Sequence, residues 1–247
     1  MLRAINMHMF QQPSYQPSGR FTAEQIATEN ASFMRKVYSF MGGGLAVTAI
    51  TSMLVSMSPT VLELVFGNRL VFYGLLFAQL AMVWTFSSVA ARATSAVAGA
   101  MFFAYALLNG VTMAIIFLVY TRTSIATTFF VTAGTFGAMS AYGYATKRDL
   151  TSIGSFAFMG LIGIILASIV NIFLKSTAVG WIVSVLGVLI FVALTAYDTQ
   201  KIKELNIIGN AGTDEDNKEA IHGALTLYLD FINLFLHLLR FFGSRRD

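Results

Sequence analysis

The stretch TLYLDFINLFLHLLRFFG, residues Thr226–Gly243, decides the fold of this 247-residue chain. Together with the apolar residues just before it, it is long enough to cross a bilayer, which needs about 20 mostly apolar residues. One residue does not suit that setting. An acid at the depth of Asp230 costs roughly 2.5–3.5 kcal/mol on insertion scales and is rarely found there without a partner or a function. We therefore expect the remaining sequence to supply a partner for this carboxylate.

The composition indicates a polytopic membrane protein. The chain is 56% hydrophobic and only 11% charged, whereas soluble domains carry about 25% charged residues. It has no cysteine, which excludes disulfides, thiolate metal sites and cysteine nucleophiles. The net charge of +4 lies in short loops, so it does not indicate nucleic-acid binding.

Seven stretches are apolar all round and long enough to span the membrane. This pattern predicts an all-α fold, a bundle of seven transmembrane helices, because strands would alternate apolar and polar residues. The predicted spans are 37–57, 70–91, 97–120, 125–146, 153–174, 177–199 and 220–241. Residues 1–33 are rich in Gln, Ser, Thr and Pro, which predicts a disordered cytoplasmic tail before a transmembrane domain over 34–247.

The basic residues predict the orientation, because cytoplasmic loops carry the excess of Lys and Arg. With a cytoplasmic N-terminus, ten basic residues face the cytoplasm and three face outward, and a further three lie near the C-terminus. Seven spans then put the C-terminus outside, whereas a six-span version would put both ends in the cytoplasm. The ten are Arg3, Arg20, Arg35, Lys36, Arg92, Lys147, Arg148, Lys201, Lys203 and Lys218; the three are Arg69, Arg122 and Lys175; those near the C-terminus are Arg240, Arg245 and Arg246.

The polar residues of the last span share one helical face. Their spacings of four, four, three, four and three residues fit the 3.6-residue period of a helix. In lipid, such a face must turn towards protein or water, so this helix is predicted to be central. The face consists of His222, Thr226, Asp230, Asn233, His237 and Arg240.

Two further charged residues are candidates for one site with Asp230. Asp198 ends the sixth span in LTAYDTQKIKEL and lies at a depth similar to that of Asp230. Arg92 is the only charged residue in the break between spans two and three. It either marks the membrane edge as a snorkelling side chain or pairs with the two acids, and both interpretations stay open.

Two carboxylates at hydrogen-bonding distance in a low dielectric titrate as a pair, and a neighbouring arginine would hold one of them charged. Ionised, Asp198 and Asp230 would offer oxygen ligands suited to Ca²⁺ or another divalent cation. The sequence does not indicate a catalytic site. His222 and His237 are about 22 Å apart along one helix, so they cannot bind one metal ion. The segment TAYDTQ lacks the GxGD pattern of intramembrane aspartyl proteases. We therefore expect neither an enzyme nor a resident cofactor.

Three segments resemble the Bax inhibitor, or transmembrane BAX inhibitor motif, family in its bacterial branch. They are GAMSAYGYATKRDL (Gly137–Leu150), LTAYDTQKIK (Leu194–Lys203) and ALTLYLDFINLFLHLLRFFG (Ala224–Gly243). The resemblance covers roughly residues 35–243. It implies a seven-helix bundle with a central last helix, placed in the bacterial inner membrane, and a pH-sensitive Ca²⁺ leak.

By motif, the resemblance implies that Asp198 and Asp230 form the aspartyl dyad of the family and that Arg92 latches onto the first of these acids. It also implies an alternative, because bacterial relatives are associated with a membrane-bound AAA protease. The chain is then either a proton-gated cation leak or a membrane protein that modulates a protease. A proton-coupled transporter is less favoured, since no inverted repeat is evident.

Overall fold

The computed structural model of the protein describes residues 21–246, which are built almost entirely of helices and contain no strand. The predicted all-α fold is confirmed. A π-helical turn over Glu63–Gly67 follows the second helix. The helices are α1 Ala23–Ser56, α2 Pro59–Leu62, α3 Arg69–Arg92, α4 Ser95–Met113, α5 Ile115–Val119, α6 Arg122–Ala145, α7 Thr151–Leu174, α8 Thr177–Leu205 and α9 Asp214–Phe242.

Six helical segments in the described part of the chain are long and apolar enough to cross a membrane, so the protein is a multi-pass membrane protein. They are α1, α3, the pair α4–α5, α7, α8 and α9. Helix α6 is long enough but is not among them, and the count of seven therefore stays a prediction.

The lower hydropathy of α6 has a structural reason. Its buried residues recur every three or four positions and so form one face, and most of them are small or polar: Thr128, Thr132, Phe136, Ser140 and Gly143. This face lies against protein, as the contacts of the Phe129 and Phe136 rings with the Phe231 ring show, at 5.5 and 5.4 Å between centroids. Since 24 residues make a helix of about 36 Å, we expect α6 to be the seventh span.

The first helix corrects the predicted domain boundary. Residues 1–20 of the predicted tail lie outside the described residues, but 23–33 are helical and Phe33 is buried. Thr22 caps the helix: its hydroxyl accepts from Gln25 N at 3.2 Å, and the Gln25 side chain accepts from Thr22 N at 2.8 Å. This T-x-x-Q capping box satisfies two backbone donors at the helix start, which is why the helix extends so far towards the N-terminus.

The chain divides into two compact units, of which the first comprises the residues up to Ile115 together with Leu205–Leu225. In it, α1 and α4 approach closely because Gly110 has no side chain to hold them apart. The hydroxyls of Thr48 and Ser52 donate to the carbonyls of Ala106 and Gly110. Such bonds are typical of helix contacts in membranes, where small and hydroxyl residues allow close approach.

The first turn of α9 belongs to the first unit and is fixed by a half-buried ion pair. Lys36 Nζ lies 2.6 Å from Asp216 Oδ2 and donates to Asn217 Oδ1 at 2.8 Å. Asp216 also accepts from Gly212 N, and Asp214 accepts from Ser95 N at the start of α4. The start of α9 is therefore tied to α1 and α4.

The second unit holds Ile116–Glu204 and the chain from Thr226 onward, which includes α6, α7, most of α8 and most of α9. At one end, the C-terminal segment bonds to the turn before α6, through Thr121 N to Ser244 O and Arg246 N to Val119 O. The ring contact of Trp181 with Phe241 brings the start of α8 to this same end.

The last helix is the most buried of the candidate spans. In its most apolar 18-residue window 56% of the residues are buried, against 11% for α3 and for α7. Tyr228, Leu227 and Leu234 are fully buried. This burial agrees with the predicted central position of the last helix, whereas α3 and α7 expose most of their surface.

The orientation can be tested with single cysteines in this cysteine-free chain. Ala211 and Ser244 are exposed and flank α9, so one crossing should separate them. With a cytoplasmic N-terminus and seven crossings, an impermeant maleimide added to intact cells should label the S244C variant and spare A211C. Lysed cells, in which both variants should react, provide the control. Labelling of A211C with protection of S244C would contradict the seven-span orientation, and it is the result expected if the N-terminus is cytoplasmic and α6 does not cross.

Candidate functional site: two buried carboxylates

The two acids singled out by the sequence are both buried in the second unit. Asp230 in α9 is 1% exposed and Asp198 in α8 is 5% exposed. An ionised carboxylate in such a place is costly unless it is paired, hydrogen-bonded or protonated.

The register of α8 against α9 places the two acids at one level. The Phe191 and His237 rings stack at 5.7 Å and 27°, and Trp181 meets Phe241 further along. The helices therefore run antiparallel. Seven residues make about two helical turns, or about 10.5 Å. Asp198 lies seven residues after Phe191 in α8, and Asp230 lies seven residues before His237 in α9. Because the helices are antiparallel, both acids lie two turns from the ring stack in the same direction. Both acids thus lie on the faces that α8 and α9 turn towards each other.

The backbone of α8 beside Asp198 is held close to α6. A Cβ atom on Gly143 would collide with the carbonyl oxygen of Ala196, so only glycine permits this approach. One turn further, Ser140 Oγ and Thr199 Oγ1 are 3.2 Å apart within the buried interior. The position of Asp198 is therefore set by backbone packing as well as by side chains.

Gln200 adds a clamp that the sequence did not reveal. It is 4% exposed, its Oε1 accepts from Leu150 N at 2.9 Å, and its Nε2 donates to Arg148 O at 2.8 Å. These bonds fix the loop between α6 and α7 onto α8, two residues beyond Asp198. The only hint in the sequence was a polar residue directly after the Asp-Thr pair, and nothing in its spacing pointed to a partner fifty residues away.

The same loop carries an exposed acid. Asp149 accepts from Thr151 N at 2.8 Å at the start of α7, and the hydrogen bonds from Thr151 lower the pKa of this carboxyl. Asp149 is thus an exposed carboxylate outside the membrane spans, unlike the two buried acids.

The predicted polar face of α9 meets different neighbours along its length. His237 lies against Gly187 and Phe191 of α8, and the Asn233 amide donates to Leu229 O of its own helix. Thr226 is half-buried. In the first unit, His222 Nε2 lies 3.4 Å from Ser87 Oγ. The supporting role predicted for Thr226, Asn233 and His237 stays a prediction, with His237 the member in ring contact with α8.

Arg92 lies in the first unit, exposed, as the last residue of α3. Its predicted role as a latch on Asp198 remains an inference from the family resemblance. Within residues 21–246, no group of three or more His, Cys, Asp or Glu side chains is placed to hold a metal ion.

The comparison with known proteins agrees with the motifs. Residues 30–247 match the family model described as Inhibitor of apoptosis-promoting Bax1. The chain belongs to this family. It is 52% identical over 216 residues to the inner membrane protein YbhL of Escherichia coli K12, covering 87% of this chain and 92% of YbhL. It is also 43% identical over 224 residues to an uncharacterised protein of Borreliella burgdorferi, covering 91% of this chain and 96% of that protein. The Bax inhibitor family resemblance predicted from the three motifs is confirmed.

The close approach of α6 and α8 can be tested with two glycines of one helix. Gly143→Ala would force a methyl group into the Ala196 carbonyl and should lower the free energy of unfolding by about 1–3 kcal/mol, the usual range for overpacking. Gly137→Ala meets open space and should be neutral or stabilising by up to about 1 kcal/mol, because glycine disfavours helix interiors. Thermal unfolding in detergent measures both. Equal effects would contradict the proposed backbone contact.

Proposed function

We propose that this protein is a pH-sensitive leak channel for calcium or a similar cation in the bacterial inner membrane, gated by protonation of Asp198 and Asp230. The observation that supports it is the pair of buried carboxylates on the facing sides of α8 and α9 at one level. The likeness to an inner membrane protein supports the location. A leak of this kind is not an enzyme and needs no bound cofactor.

The chemistry of the pair suits both a proton and a divalent cation. Two carboxylates in a low-dielectric interior cannot both be charged cheaply, so they titrate as a coupled pair. When both are ionised they present hard oxygen ligands, which Ca²⁺ prefers. With two acids as ligands at this level, an ion would be held weakly, as conduction requires.

The helices around the pair are arranged so that its charge can affect their spacing. Asp198 lies where α8 is clamped by α6 and Gln200, whereas α9 faces it with His237 stacked on Phe191 two turns away. Protonation changes the electrostatic interaction across this contact without altering the clamp. In the proposal, protonation of Asp198 ends its attraction to a positive neighbour, and the helices around the pair then separate and admit ions. The family resemblance adds Arg92 as the positive charge whose attraction to Asp198 is lost on protonation.

Calcium flux into liposomes over a range of external pH tests this function. Wild type should leak more as the pH falls, and both Asp198→Asn and Asp230→Asn should flatten that response, because each removes one half of the pair. Asp149→Asn is the matched control. It also removes one carboxylate, from an exposed position, and an asparagine can still accept from Thr151 N, so its pH profile should match wild type.

Arg92→Ala separates the latch from the pair. It should raise the leak at neutral pH in wild type and change little further when added to Asp198→Asn, because the two residues would act through one interaction. A pH profile left unchanged by either buried Asn variant would contradict the leak. In that case the alternative, a membrane protein that modulates an AAA protease, would be favoured.

A further inference from the structure

A second polar site lies in the same unit, away from the two acids. A cavity of about 290 Å³ opens at the end of the unit where α7 stops and α8 begins. Its lining residues are Ser168, Asn171, Ile172, Gly180, Val183 and Arg240. Ten residues of helix, about 15 Å, separate Arg240 from Asp230, so this cavity is distinct from the carboxylate pair.

Two side chains direct hydrogen-bond donors into the cavity. Asn171 Oδ1 accepts from Ser176 N at 3.0 Å, which fixes the amide so that its NH₂ group faces the other way. The Arg240 guanidinium lies directly against Gly180, and Asn171 Nδ2 is 3.5 Å from the point that a Cβ on Gly180 would occupy. A guanidinium and an amide NH₂ converging on one place suit an anionic oxygen ligand.

The surrounding charge is positive. This end of the unit carries five basic side chains: Arg122, Lys175, Arg240, Arg245 and Arg246. The acidic side chains in the described part of the unit all lie away from this end. Asp149 is in the loop between α6 and α7, Glu204 is at the far end of α8, and Asp198 and Asp230 form the carboxylate pair. Among the described residues of the unit, no acidic side chain accompanies these basic ones, so this end suits an anionic ligand.

Large apolar side chains around the cavity indicate that this ligand is a lipid. Phe173 is 82% exposed, and Trp181 and Phe242 are each 59% exposed, as in the aromatic belts at the boundary between bilayer and water. Ile172 and Val183 form an apolar wall beside the Arg240 guanidinium. A ligand with a phosphate next to an acyl chain matches both halves of this surface.

We propose that this cavity binds the phosphate of an anionic phospholipid, with Arg240 and Asn171 as its donors and Ile172 and Val183 against the start of an acyl chain. Gly180 is required because any larger residue would occupy the place of the guanidinium. The proposal does not depend on the leak function, since none of the lining residues belongs to the carboxylate pair.

Native mass spectrometry of the purified protein in detergent tests the site, with phosphatidylglycerol and phosphatidylcholine as competing probes. Wild type should retain one phosphatidylglycerol in preference to phosphatidylcholine. Arg240→Gln should weaken that retention about tenfold or more, because a charge-assisted hydrogen bond is lost, and Asn171→Leu should weaken it to a smaller extent. Arg122→Gln removes a charge from the same end but not from the cavity and should bind as wild type.

Gly180→Ala keeps the test valid if Arg240→Gln unfolds the protein. Its methyl group displaces only the flexible end of Arg240, so the variant should fold and yet lose phosphatidylglycerol. Gly163→Ala, which meets open space, is the control.

Equal retention of the two lipids, or wild-type binding by both Arg240→Gln and Gly180→Ala, would overturn the proposal. Displacement of the lipid by inorganic phosphate alone at millimolar concentration would overturn the lipid as the occupant and leave a site for free anions.

Discussion

The structure depends on one constraint: Asp230 stands in a helix that crosses the membrane, and a carboxylate there must meet protein rather than lipid. Burial of α9 on nearly every side meets this constraint. The packing of α9 also determines which residues surround Asp230. Helix α8 places Asp198 at the same level, and Gly187 of α8 leaves room for the His237 ring. The site is therefore a product of how two antiparallel helices are aligned, and the alignment is fixed by an aromatic stack two turns away.

Local patterns predicted much of this arrangement. The spacing of polar residues marked the inner face of α9, and the apolar runs located the helices, because both depend on residues near one another in sequence. The run 125–146 also located α6, although α6 is not among the helices apolar enough to count as candidate spans, because its buried face includes threonine and serine. Helix α1 starts earlier than predicted because the capping box at Thr22 begins it ahead of the apolar run. The sequence also did not show which glycine of α6 makes a close contact: Gly134 and Gly137 meet open space, whereas Gly143 lies on the Ala196 carbonyl.

The two proposed sites share the helices α8 and α9. The cavity near Arg240 lies at the end where α8 begins and α9 stops, and the carboxylate pair lies further along both helices. A lipid held by Arg240 of α9 against Val183 of α8 would fix the relative position of these two helices at this end. Any separation of α8 from α9 at the acids would then pivot about the lipid-bound end. Gln200, which anchors α8 to the loop after α6, would remain in place.

Infrared titration of the carboxylic acid C=O absorption tests most directly whether Asp198 and Asp230 act together. If they share one level and face each other, the wild type should show two separate protonation steps from the pair. Asp198→Asn and Asp230→Asn should each lose the upper step and keep a single step near the lower one, because the remaining acid then titrates beside a neutral neighbour. Asp149→Asn, measured in parallel, identifies the contribution of exposed carboxyls. If one variant kept the upper step and the other kept the lower step, the two acids would titrate independently and the central claim would be wrong.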